Sequence, residues 1–210
     1  MRIERFVVPP LGNNVYLVVD ADTNEALVVD SALGSGPLLG KARELGATIK
    51  FILNTHGHPD HTADNAAIQK ATGAKIAIFE VDAVRLEKNA RESRWYLPSP
   101  PDPSKADILL KEGSEIRIGG IPFVTLHTPG HTEGSASFYA PSQGILFSGD
   151  TLFAGSCGRT DVAGGSPARM IVSLRRLAAL PPETRVLPGH GPETTIGAET
   201  WIADVAYPII

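Results

Sequence analysis

Short apolar runs cut by turn residues open the chain: residues 6–8, 15–20 and 26–29 read as strands, separated by Pro10-Leu11-Gly12-Asn13-Asn14 and Asp20-Ala21-Asp22-Thr23-Asn24. That rhythm predicts an antiparallel meander. Residues 37–45 then read as a helix stopped by Gly46, and 49–54 as a buried strand. A helix is predicted over 61–72, with Asp60 just before it and Gly73 as its stop, followed by a strand at 75–79 and a helix through about Asn89. Residues 91–105 hold Pro98, Pro100, Pro101 and Pro103, too many prolines for a helix or strand interior. This stretch is expected to be a loop or lid, its Trp95, Tyr96 and Leu97 either lining a pocket or packing on the body.

From Ile108 the β pattern returns: 115–118, a Gly119-Gly120 hairpin turn, 123–127, 135–139 and 145–148, implying a second sheet. Residues 167–180 carry apolar positions at Met170, Ile171, Leu174 and Leu177, the spacing of an amphipathic helix. A strand at 185–187 and a last helix from Ile196 to about Val205 complete the pattern. Two successions of strands then helices are satisfied by an α/β fold in which two sheets pack together with helices outside.

The 210 residues, 42% hydrophobic with a net charge of -4, describe a globular chain without the basic surface that nucleic acid requires. No apolar run approaches a membrane span, and no long apolar leader follows Met1. The single cysteine, Cys157, excludes an intrachain disulfide. A cytoplasmic protein of one domain, residues 1–210, is expected.

The histidines change the picture. Five of the six fall in three patches, Thr55-His56-Gly57-His58-Pro59-Asp60-His61, Thr128-Pro129-Gly130-His131 and Pro188-Gly189-His190-Gly191, with Asp150 in Ser148-Gly149-Asp150-Thr151 between the last two. Residues two apart on extended backbone share a side, so His56 and His58 can converge on one ion while a turn at Pro59 directs Asp60 and His61 to a second. His131 and His190 arrive from distant segments beside glycines that permit close backbone approach. Imidazoles with carboxylates and no thiolate suit zinc, with iron or manganese as alternatives, and argue against a closed structural zinc. His127 is either a hydrogen-bond support for a ligand or a packed histidine, and Cys157 reads as a loop residue.

These residues, together with Asp150-Thr151-Leu152-Phe153-Ala154-Gly155-Ser156-Cys157-Gly158-Arg159-Thr160-Asp161 and Pro188-Gly189-His190-Gly191-Pro192-Glu193-Thr194-Thr195-Ile196-Gly197, resemble the metallo-β-lactamase fold hydrolases. Within them the chain resembles the short glyoxalase II group. The resemblance implies a four-layered αββα sandwich, a first metal held by His56, His58 and His131, a second by Asp60, His61 and His190, and Asp150 bridging both. It implies a thioesterase acting on S-(2-hydroxyacyl)glutathione or a related thioester through hydroxide shared by two divalent ions, with Asp60 both ligating and orienting the nucleophile. Arg159 falls where long members meet the glycine carboxylate of glutathione, although pairing with Asp161 is an equal reading. Long members also carry a C-terminal helical domain for glutathione that this chain is expected to lack. Zinc β-lactamases place cysteine or histidine where Asp150 stands, so β-lactam hydrolysis is not expected. A mononuclear iron persulfide dioxygenase is the alternative, disfavoured because that group carries Ala-His-Asp where this chain has Pro-Gly-His-Gly-Pro. A non-catalytic metal-stabilised binding module is the third reading, and the abundance of ligands argues against it.

Overall fold

Strand β2 (Asn13–Val19) is buried along its whole length, and its side chains alternate between two cores: Tyr16 and Val18 face one, Val15, Leu17 and Val19 the other. A strand apolar on both faces must lie between two other layers. In the computed structural model, which describes residues 1–92 and 97–206, the sheet holding β2 runs β1 (Arg2–Val8), β2, β3 (Glu25–Val29), β4 (Thr48–Asn54), β5 (Lys75–Phe79) and β6 (Ile108–Leu110). The first three strands are antiparallel, as the meander predicts, and β3 to β6 are parallel.

The second sheet runs β12 (Thr194–Thr195), β11 (Arg185–Pro188), β10 (Ile145–Gly149), β9 (Ala136–Ala140), β8 (Ile121–His127) and β7 (Glu115–Ile118). Ile118 pairs with Ile121 across the expected Gly119-Gly120 turn. Between the sheets lie Tyr16, Leu27, Leu53, Phe123, Phe138 and Phe147. Outside the first sheet, α1 (Gly36–Glu44), α3 (Asn65–Thr72) and α4 (Ala83–Glu92) follow their strands, and Leu38, Ile68 and Leu86 pack on its outer face. Outside the second, α5 (Pro167–Ala178) lays Met170, Leu174 and Leu177 against Leu146 and Val186. The order helix, sheet, sheet, helix is the four-layered arrangement expected from the sequence.

Several boundaries differ for identifiable reasons. The helix expected over 61–72 starts earlier and is broken into α2 (Pro59–Thr62) and α3. The His61 carbonyl accepts from Ser31 N–H at 2.7 Å instead of serving the helix, and the Asp64 carboxylate turns to the N–H groups of Gly34 and Ser35. Residues 108–110 join the edge of the first sheet rather than opening the second. The last expected helix is two 3-10 turns, Ile196–Ala198 and Thr200–Ile202, interrupted where Glu199 accepts from Gly155 N–H, the Thr194 hydroxyl and the Trp201 indole. Trp95 and Tyr96 lie outside the described residues, and Leu97 is buried rather than lining the cleft described below.

Candidate metal centre

Four strands end at one edge of the sandwich, and each is followed at once by a histidine patch or an acid: β4 by Thr55-His56, β8 by Thr128-Pro129-Gly130-His131, β10 by Asp150 and β11 by Gly189-His190. The fold therefore assembles ligands from segments far apart in sequence. Gly189 has no room for a side chain, because a Cβ there would meet Asp150 Oδ1 and the His61 ring. Gly130, with φ of 148°, sits against the backbone of Met170 and lets the chain turn into His131.

The hydrogen bonds fix where the ring nitrogens point. The Thr55 hydroxyl donates to Asp30 Oδ2 at 2.9 Å, so toward His56 Nδ1, 3.1 Å away, it accepts. His131 Nδ1 meets the Arg159 carbonyl oxygen at 2.7 Å, His61 Nδ1 meets Asp30 Oδ2 at 2.9 Å, and His190 Nδ1 meets the Leu11 carbonyl oxygen at 3.2 Å. Each partner is an acceptor, so each Nδ1 carries the proton and each Nε2 faces inward. His58 presents Nδ1 instead, 3.0 Å from His56 Nε2 and 2.8 Å from His131 Nε2.

Among the described residues two separate groups result, linked by a third, His56, His61 and Asp150, that overlaps both. His56, His58 and His131 form one, Asp60, His61 and His190 the other, with ligand atoms inside each within 4.8 Å of one another. Asp150 Oδ1 lies 3.4 Å from His61 Nε2, and Oδ2 lies 3.5 Å from His131 Nε2 and 3.7 Å from His190 Nε2. Buried Asp150 Oδ1 has no hydrogen-bond donor. An orphaned buried carboxylate oxygen amid inward-facing imidazole nitrogens fits divalent cations, which would complement what no proton donor here does.

Electrostatics agree. Burial, with help from His61, His58 and His131, holds His56 far below the ordinary imidazole range, and burial with His131 holds His58 at about 3. Both rings are thereby held in the neutral form that an imidazole needs to ligate a cation. Burial opposes the charged form of His61, but Asp150, Asp60 and Asp30 outweigh it and push the group up to about 10. Burial works to raise the Asp60 carboxyl, yet His61, His190 and Asn13 hold it well below the usual range. The second group thus concentrates negative charge that calls for a cation.

Around the ligands opens a cleft of 710 Å³, its walls including Leu11, Pro59, Phe153, Val162 and Ala163. The Phe153 ring stands edge-on to His190 at 6.0 Å. Arg159 lies on the rim, with its guanidinium bound bidentately to Asp161 at 2.7 and 2.8 Å. His127 stacks on Phe79 at 4.0 Å and meets the Glu133 carbonyl oxygen, the packed alternative of the sequence reading. Cys157 packs against the Leu146 cluster, burial raising its thiol, and is absent from both ligand groups.

Residues the sequence reading passed over hold the ligands in place. Asp30 ties Thr55 and His61, Asn13 donates to Asp60 Oδ2 at 3.0 Å, and Asp82 accepts from Gly57 N–H and from the Thr132 hydroxyl. Asp30 had a usable signal: an acid ending an apolar strand, Leu27-Val28-Val29-Asp30, repeats the placement of Asp150 after β10.

Comparison with known proteins agrees with this geometry. The chain is 40% identical over 178 residues to the hydroxyacylglutathione hydrolase of Thermosynechococcus vestitus, covering 85% of this chain and 63% of that relative. Among solved structures it superposes on the BLEG-1 B3 metallo-beta-lactamase with a TM-score of 0.88 at 33% identity, covering 94% of this chain and 96% of the other. It superposes on TTHA1623, solved in a di-iron-bound form, with a TM-score of 0.80 at 38% identity, covering 93% and 96%. Residues 8–190 match the model of the metallo-beta-lactamase superfamily, and with two facing sheets carrying histidines and acids at one edge, this chain belongs to that superfamily.

Proposed function

We propose that the chain is a binuclear metal-dependent thioester hydrolase of the glyoxalase II type, acting on S-(2-hydroxyacyl)glutathione or a related thioester. The observation that carries this reading is the second ligand group, Asp60, His61 and His190, beside the first and joined to it by the undonated Asp150 Oδ1. A mononuclear dioxygenase has no use for that second group as a metal site, and a non-catalytic module has no use for an open cleft above both. The chain spans 63% of the length of the hydroxyacylglutathione hydrolase it matches, so the relative's activity enters here as part of the proposal.

His56, His58 and His131 would hold one divalent ion, Asp60, His61 and His190 the other, and Asp150 would bridge. Zinc suits these ligands, with iron or manganese as alternatives. Bound there, such ions would supply a nucleophile from water at neutral pH and polarise a carbonyl. Asp60, ionised and fixed by Asn13, orients the incoming nucleophile at Oδ2. Leu11, Phe153 and Val162 line the cleft and would shield the carbonyl carbon of a bound thioester from bulk water. A thiol leaves with a pKa of about 8.5, so the cleft requires no general acid for a thioester, whereas an amide nitrogen would demand one. Arg159 would meet a carboxylate of the carrier by opening its exposed pair with Asp161, a contact worth little in water.

We further propose a cytoplasmic, single-domain protein over residues 1–210 with a small-molecule substrate and no nucleic-acid partner. Among the described residues no helix is long and apolar enough to cross a membrane. The likeness to the BLEG-1 B3 metallo-beta-lactamase makes β-lactams the competing substrate class. Purified protein should cleave S-lactoylglutathione without oxygen, and leave nitrocefin and glutathione persulfide unchanged. Nitrocefin hydrolysis exceeding thioester cleavage, or oxygen uptake on persulfide, would overturn the proposal.

A further inference from the structure

The two loops that carry the three-histidine group meet at one carboxylate outside the group. Asp82, buried at the turn between β5 and α4, accepts from Gly57 N–H at 2.8 Å and the Thr132 hydroxyl at 2.8 Å through Oδ2, and from Gly134 N–H at 3.0 Å through Oδ1. Gly57 lies between His56 and His58, and Thr132 follows His131. All three histidines are thus within one residue of a group bonded to Asp82.

One helical turn later, Arg85 Nε lies 3.4 Å from Asp82 Oδ1, and its Nη2 donates to the Ala163 carbonyl oxygen at 2.9 Å, on the wall of the cleft. Glycine stands at three of the positions that pass this pair. A Cβ at Gly57 would stand 2.7 Å from Arg85 Cβ, one at Gly134 2.7 Å from Asp82 Cβ, and one at Gly164 2.7 Å from Arg85 Nη2. At Gly57 and Gly134 the close approach to Arg85 and Asp82 leaves no room for a side chain, and Gly164 has a φ of 84° that favours glycine. Asp60, His61 and His190 have their own supports in Asn13, Asp30 and the Leu11 carbonyl, none of which touches Asp82.

We infer that Asp82 is the positioning residue of the three-histidine metal site alone, and that Arg85 extends the same fixture to the substrate wall at Ala163. Asp82 holds His56, His58 and His131 at ligating distance before a cation arrives, and Arg85 sets the loop at 162–164 relative to that site. The inference rests on the binuclear reading above, and its test separates the two.

Zinc affinity is measured by competition with a chromophoric chelator in two backgrounds, His190→Ala, which leaves the three-histidine group whole, and His131→Ala, which leaves the other whole. Adding Asp82→Asn should weaken zinc 10- to 100-fold in the first background and less than twofold in the second. Thr132→Val should give a smaller loss in the same background, and Thr132→Ser, which keeps the hydroxyl, should restore it. Arg85→Ala should leave zinc stoichiometry unchanged and raise KM severalfold with kcat nearly constant. Equal losses in both backgrounds, or none in either, would overturn the inference. If Asp82→Asn fails to fold, the Thr132 pair decides by the same criterion. Failure of the unsubstituted chain to bind two zinc ions would instead contradict the binuclear reading.

Discussion

His58 shows how one side chain can be read in two ways by chemistry. Its ring turns Nδ1 toward His56 and His131 while the other four site histidines turn Nε2 inward, so it closes a three-nitrogen face with His56 and His131. His58→Ala should abolish turnover and lower bound metal while far-UV circular dichroism stays unchanged; retained turnover would remove His58 from the site. Asp30 acts one shell out. It adopts φ of 58°, a conformation that Asp tolerates better than most side chains, and so turns its carboxylate to both Thr55 and His61. Asp30→Ala leaves the Thr55 N–H and His61 Nδ1–H without acceptors. It should cost about 1–3 kcal/mol in denaturant unfolding and weaken metal binding by roughly 10- to 100-fold.

On the rim, the Arg159 guanidinium holds the Asp161 carboxyl down at about 2. A depressed carboxyl favours the paired form above the ordinary carboxylate range and loses it only as pH falls through about 2. The pair therefore stays ionised across any neutral assay. A carboxyl resonance of Asp161 titrating near its ordinary range would show that the pair is open in solution.

At the scale of elements, much of the fold was legible because each strand is short and ends in a turn residue. β5 has the predicted limits, since Gly73 enters αL before it and polar residues follow Phe79. What was not legible depended on single side chains bonding distant backbone. The helix at 61–72 has the right period throughout, yet Ser31 captures the His61 carbonyl and Asn65 enters a buried network with Asn54 and Ser31. No local pattern announces those bonds. α5, by contrast, was announced by its period, and in the structure the Ser166 hydroxyl caps its start by accepting from Arg169 N–H. Leu174 is fully buried between this helix and the second sheet, so Leu174→Ala should cost about 2–5 kcal/mol in denaturant unfolding with the metal content unchanged.

For the whole molecule, the two sheets are opposed layers whose strand ends meet along one edge, and the ligands come from both: His56 and His61 follow β4 of the first sheet, His131, Asp150 and His190 follow strands of the second. The candidate ligands were legible because histidine and aspartate cluster in short patches. Their supports at Asn13 and Asp82 were not, because the partner of each lies in a distant segment, whereas Asp30 stood at the end of an apolar strand as Asp150 does. Divalent cations bound between the sheets should also brace the sandwich. Removing them with a chelator should lower the melting temperature, and readdition should restore it, as expected for a ligand that binds only the folded chain.

The most direct test of the central claim is metal content measured beside thioester turnover under anaerobic conditions, as zinc is added stepwise to metal-depleted protein. Turnover of S-lactoylglutathione that rises to its maximum as about two ions per chain are bound, without oxygen, is the predicted result. Full activity at one ion per chain, or turnover that requires oxygen, would contradict the binuclear hydrolase.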